Sequence, residues 1–341
     1  MGQYYDLIMN PTKNSFSAHF NECWSSLLDE FAVPYADAVQ LRIGNQLRPK
    51  LTCWGAALNT DSADDLNLKN ISFIAAYIEM LHKASIIIDD MVDGDDARHG
   101  QKAFHIEFGR ERAQIFALAL LGKGLSGINN IFENSKAHFR SIDLYSNTIY
   151  KMAMGCLEEL NLDSSTRFDV EKVNRIINLE TISLIKNSLV LGYWSNFDPL
   201  GSSIEDTIVE IGSNCGYIFQ ILNDLEPFSS LEKNALYKGG QNIDVNRDRK
   251  NIAVAYIFGA ATRKEKKSLL ELRGDDLQAC LFNLYTKYSV YDSICTEARA
   301  LERQSIARLV DIGKTYPHTA SFQDFQVFIA DMVDICFAKL G

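Results

Sequence analysis

The stretch Glu79–Gly100, EMLHKASIIIDDMVDGDDARHG, decides how this chain is read. Ile71, Ile74, Ile78, Leu81, Ser85, Asp89 and Asp93 recur at steps of three and four, which marks one face of an α-helix. That face starts apolar and ends acidic. Five aspartates, Asp89, Asp90, Asp93, Asp95 and Asp96, fall within eight residues. Asp89 and Asp93 share a helical face, with His82 and Ser85 on the same stripe and Asp90 beside it. Carboxylates at a helix C-terminus meet the negative end of the helix dipole, which costs stability. Divalent cations would offset that cost, and magnesium suits a site of few carboxylates completed by water and substrate phosphates. The plainer reading is a solvated acidic helix end. For Asp95 and Asp96, beyond Gly94, solvated loop acids are expected.

The same periodicity extends over 15–32, 46–59, 107–125, 139–162, 170–192, 204–226, 251–261, 288–314 and 321–339. Polar breaks fall at NTDSADDLN, LDSST, NFDPLGSS and YKGGQNIDVNRD, and none reads as a linker. Only 6 prolines occur, few segments alternate as strands do, and no long repeat is seen. The pattern predicts an all-α, single-domain helical bundle of about ten or more helices over residues 1–341.

Composition narrows the function. A formal net charge of −10 argues against a nucleic-acid partner, which needs a basic surface. The 7 cysteines are odd in number and form no CxxC pair, as expected of reduced thiols in a cytoplasmic protein. The N-terminus has no basic-then-apolar leader. Asp6 stands where myristoylation wants Ser or Thr. No apolar run approaches the ~20 residues of a membrane span.

Four segments come in a telling order: GNQLRP (44–49), Glu79–Gly100, FQILNDLEPF (219–228) and DVNRDRKNIA (244–253). From about residue 40 to 260 the chain resembles the trans-isoprenyl diphosphate synthases, the polyprenyl synthase family, whose fold is shared with class I terpene synthases. The resemblance implies a helical bundle around a deep central cavity and a homodimer. It implies three magnesium ions held by Asp89, Asp90, Asp93 and Asn223, and an allylic diphosphate contacted by Arg98, Arg249 and Lys250. Arg48, His82 and His99 would bind the diphosphate of a second substrate, isopentenyl diphosphate. Ala84, Ser85, Thr181, Tyr217, Phe219 and Gln220 would line the cavity, and the small Ala84 and Ser85 suggest a deep one.

Several positions depart from the family's pattern. Asn45 and His99 stand where cations are expected, Gln46 replaces a basic residue, and Glu180 replaces a lysine that binds the allylic diphosphate. Cys156 stands for glutamine and Glu159 for aspartate. The second acidic segment opens on Asn223 and meets Pro227, which reads equally as a helix stop. An amide oxygen can still coordinate magnesium.

This one-sided loss of cations favours an enzyme that ionises an allylic diphosphate and then cyclises the cation, or transfers it to an acceptor other than isopentenyl diphosphate. The alternative is ordinary chain elongation. A third reading is a non-catalytic subunit of a heteromeric synthase. His105 and His138 read as packing or surface histidines, and Trp24, Trp54 and Trp194 as core.

Overall fold

The computed structural model describes residues 2–31, 35–37, 39, 46–60, 62–98, 100–163, 165–195, 202–229, 249–314 and 320–340. The aspartate-bearing stretch is a 26-residue helix, α4 (Leu68–Asp93). Asn67 starts it by accepting a hydrogen bond from the Asn70 amide, and Gly94 ends it in a left-handed turn at φ 66°. By length and composition α4 could cross a membrane, but 67% of its apolar window is buried inside the protein, as befits a core helix.

Before it come α1 (Gln3–Met9), α2 (Phe16–Leu28) and α3 (Leu47–Ala57). After it come a two-residue ladder, β1 (Ala97–Arg98) with β2 (Gln101–Lys102), and then α5 (Phe104–Phe108), α6 (Arg110–Ile131) and α7 (His138–Leu160). Next are α8 (Val170–Ile177), α9 (Ser183–Tyr193), α10 (Ser202–Asn223) and α11 (Glu226–Ser229). The C-terminal part holds α12 (Ile252–Ala260), α13 (Arg263–Glu271), α14 (Gly274–Lys287), α15 (Val290–Gly313) and α16 (Ala320–Leu340). The all-α expectation holds, and the buried apolar side chains form one contiguous cluster.

Helix α4 packs against α2, α3 and α6, so its acidic end is set by three neighbours. Helix α3 in turn lies against α9. A Cβ on Gly55 would collide with the Leu189 carbonyl, and one on Gly192 with the Thr52 carbonyl. Only glycine lets two helix backbones approach this closely. Trp54, also on α3, packs tilted against Phe325 and Phe328 at centroid distances of 5.3 and 5.6 Å. Trp24 and Trp194 are also buried, as expected.

The segment 170–192, read from its periodicity as one helix, is interrupted. One π-helical turn, Asn178–Ile182, separates α8 from α9. Such turns add a residue and re-aim the side chains they carry, often at functional sites. Here they carry Glu180 and Thr181.

Candidate active site

Gly94 reverses the chain after α4, and the Asp95 amide donates to the Asp90 carbonyl at 3.0 Å. The ladder then brings Arg98 back over the aspartates. Its Nε donates to Asp90 Oδ1 at 2.6 Å, and its Nη2 lies 3.4 Å from Asp89 Oδ2 and 3.8 Å from Asp95 Oδ2. Asp95 is therefore not the solvated loop acid expected: it is 0% exposed. The left-handed Gly94 folds it under the guanidinium, whereas Asp96 does stay exposed.

Two further arginines reach the end of α4. Arg249 Nη2 meets Asp93 Oδ1 at 2.8 Å and the Val92 carbonyl at 3.2 Å, and Arg110 donates to the Met91 carbonyl at 3.1 Å. Cations are placed where the helix dipole and the carboxylates both require them. Burial lifts Asp90 to about 6 against the pull of Arg98, with Asp89 and Asp95 adding to the rise.

Asp89 is the open carboxylate of the group, its side chain 44% exposed. Among the described residues no three His, Cys, Asp or Glu form a closed metal cage. Asp89 with Asp93 one turn later still fits magnesium, a hard ion that completes its shell with water and substrate phosphate oxygens. Asp90, held by Arg98, orients the cluster.

Upstream on α4, His82 meets a cation from a neighbouring helix. Arg48 of α3 donates from Nη1 to His82 Nε2 at 3.0 Å. A guanidinium only donates, so His82 Nε2 is the accepting atom of this contact. Burial lowers Arg48 to about 10, opposed by Glu79, and it remains a cation at neutral pH. Ser85 donates to the His82 carbonyl at 2.8 Å, and Ala84 beside it is fully enclosed in packed core. Asn45 and His99, the two lost cations, lie outside the described residues.

Helix α10 ends at half-buried Asn223, four residues before Pro227. Asp224 is buried and anchors the start of α12, accepting the Ile252 amide at 2.7 Å. Its other oxygen accepts from Gln220 at 2.7 Å, and Gln220 Oε1 accepts from Thr181 Oγ1 at 2.7 Å. Tyr217 donates to Asn174 at 3.1 Å, and burial raises its phenol well above the ordinary range. Phe219 is half-buried.

Lys250 is held by two carboxylates. Its backbone amide and ammonium reach Glu159 at 2.9 and 3.3 Å, and the ammonium also pairs with Glu180. Burial lifts Glu180 to about 7 against the attraction of Lys250, because Glu159 and Asp89 add negative charge nearby. Burial would lower Lys250, but Glu159, Glu180 and Asp89 outweigh it and hold the ammonium well above its ordinary value. Gly155 permits the approach: a Cβ there would lie 2.5 Å from Glu180 Cγ. Cys156, beside the same acids, is pushed up to about 11 by burial and by Glu180, so its thiol is unreactive. Sequence reasoning flagged Glu159, Glu180 and Lys250 separately. The grouping was hidden because its members lie far apart along the chain.

Comparison with known proteins agrees with this geometry. A sequence profile described as polyprenyl synthetase matches residues 32–283. A short chain isoprenyl diphosphate synthase of Methanocaldococcus jannaschii is 24% identical over 232 residues, 68% of either chain. A geranylgeranyl diphosphate synthase of Saccharolobus solfataricus is 22% identical over 250 residues, 72% of this chain and 70% of that one. A polyprenyl synthase from Caulobacter crescentus, solved with calcium and isoprenyl diphosphate, is similar in fold with a TM-score of 0.78. It is 17% identical and covers 100% of this chain and 99% of that one. Since the profile spans most of the sequence and includes α3, the aspartate end of α4 and the start of α12, the chain belongs to the polyprenyl synthetase family.

Proposed function

We propose that the protein is a chain-elongating isoprenyl diphosphate synthase: it ionises an allylic prenyl diphosphate and joins it to isopentenyl diphosphate. The observation that carries this reading is the contact at 3.0 Å between Arg48 of α3 and His82 of α4, the helix that also bears the aspartates. A cation about two helical turns from the metal-binding acids suits a second diphosphate, which an enzyme that only cyclises would not need. The relatives named above are synthases of this kind, so cyclisation or transfer to another acceptor gives way as the principal reading.

In this reading Asp89 and Asp93 hold magnesium, and Asn223 at the end of α10 would add an amide oxygen. Magnesium, when bound, neutralises the charge that develops on the departing diphosphate. Arg98 fixes Asp90 and Asp89 in place, so the carboxylates need little reorganisation during reaction. Arg48 binds and orients the isopentenyl diphosphate through its planar fork. Attack of the isopentenyl double bond on the allylic cation forms the new carbon–carbon bond. Loss of a proton then yields an allylic diphosphate one isoprene unit longer.

The reading extends to assembly. Ile115 and Leu118 on α6 and Phe139, Tyr150 and Leu157 on the adjoining α7 are large apolar side chains exposed to solvent. Such a face suits a second copy of the chain. The 7 free cysteines support a reducing, cytoplasmic setting.

Arg48→Ala tests the second-substrate pocket. Losing one charge-assisted contact of about 1.5–3 kcal/mol should raise KM for isopentenyl diphosphate roughly ten- to a hundredfold. KM for the allylic diphosphate should change little. Consumption of the allylic diphosphate at the same rate with and without isopentenyl diphosphate contradicts the reading.

A further inference from the structure

Four consecutive residues tie the start of α12 to four parts of the bundle. Arg249 lies on Asp93 of α4 at 2.8 Å. Lys250 is held through its amide to Glu159 of α7 at 2.9 Å and through its ammonium to Glu159 and to Glu180 of the π turn. Asn251 Nδ2 donates to the Asp224 carbonyl at 3.0 Å, and the Ile252 amide donates to the Asp224 carboxylate at 2.7 Å. Buried Lys250 is thus gripped from two sides immediately next to the arginine that covers Asp93. A cation at position 180 would repel Lys250, whereas the carboxylate there pairs with it. The carboxylate at 180 and the ammonium at 250 therefore belong together.

We propose that Glu180 is a positioning residue: by gripping Lys250 it fixes Arg249 against Asp93, giving the site mouth its own counter-ion. The inference rests on the magnesium–diphosphate reading of Asp89 and Asp93, and not on chain elongation. Two opposed effects follow. Arg249 competes with a lone magnesium ion for Asp93. The same guanidinium, held in place, is presented to a diphosphate arriving with the metal. Loss of the grip should help the first kind of binding and harm the second.

Calorimetric titration of the full chain separates these effects, with magnesium chloride alone and then with inorganic diphosphate in excess magnesium. In Glu180→Ala, magnesium alone should bind roughly fivefold more tightly, the scale of one lost ion pair. Magnesium diphosphate should bind about tenfold more weakly, the scale of one charge-assisted contact. Glu180→Gln keeps a hydrogen bond to Lys250 and should stay within about twofold of the parent in both titrations. Lys250→Met breaks the same grip from the other side and should give the same opposed shifts, which covers the case where Glu180→Ala does not fold. Folded variants in which both affinities fall together, or neither moves, overturn the positioning role and leave the site reading standing. A parent protein that binds neither probe overturns the site reading and the positioning role with it.

Discussion

Asp90 and Glu180 carry the electrostatic strain of the site. Folding raises Asp90 from 3.8 to about 6 and Glu180 from 4.5 to about 7. A carboxyl whose pKa rises on folding holds its proton more tightly in the native state. Its stabilising contribution is complete below the unfolded value and is lost as pH climbs through the folded one. Glutamine at 180 mimics the protonated form, so Glu180→Gln should gain on the parent as pH rises from about 5 to 8, by on the order of 2 kcal/mol. Urea unfolding across that range checks it, and a difference that stays flat with pH contradicts it. Single letters revealed much of this site. Asp89, Asp93 and Arg98 stood out by spacing and order. The burial of Asp95 did not, although Gly94 was a legible signal for the reversal that causes it. Nor did the hold of Arg249 on Asp93, because 157 residues along the chain separate Val92 from its partner.

Element boundaries followed local chemistry where the chemistry is local. The Asn67 cap and Gly94 stop bracket α4 as the 69–93 periodicity expects. The π turn at Asn178–Ile182 had no such signal in the apolar spacing; in the fold, Gly155 of α7 lets Glu180 lie close against that helix. Helices α13 and α14 also escaped the apolar pattern. The charged α13, RKEKKSLLE, depends on the Thr262–Glu265 capping box. Helix α3, which carries Arg48, is held closely against α9. Gly192→Ala would force its new methyl group into the Thr52 carbonyl and part the two helices. Overpacking of this kind costs about 1–3 kcal/mol. The variant should melt earlier and also bind isopentenyl diphosphate less well, whereas Gly122→Ala, in open space, should do neither. Unchanged melting of Gly192→Ala would contradict the close crossing.

At the scale of the whole molecule, helical periodicity predicted an all-α bundle, and the order of four segments predicted its family. Fold and family were legible because they depend on helical periodicity and on one dense acidic motif. The fate of the prenyl cation was not, because loss of cations at Asn45 and Glu180 pointed away from elongation. In the structure Glu180 is paired with Lys250, so this carboxylate is not left uncompensated in the site, which weakens that argument. The exposed apolar face of α6 and α7 yields a prediction of its own. The parent should sediment as a dimer, and the paired change Leu118→Glu with Phe139→Glu should yield a folded monomer. A parent that sediments as a monomer at micromolar concentration contradicts the proposed interface.

The central claim is met most directly by mass analysis of the product formed from isotopically labelled isopentenyl diphosphate, an allylic diphosphate and magnesium. The account predicts a linear allylic diphosphate, lengthened by labelled isoprene units and absent when Asp89 is changed to Ala. An unlabelled cyclic hydrocarbon, or label left wholly in isopentenyl diphosphate while the allylic substrate disappears, would contradict it.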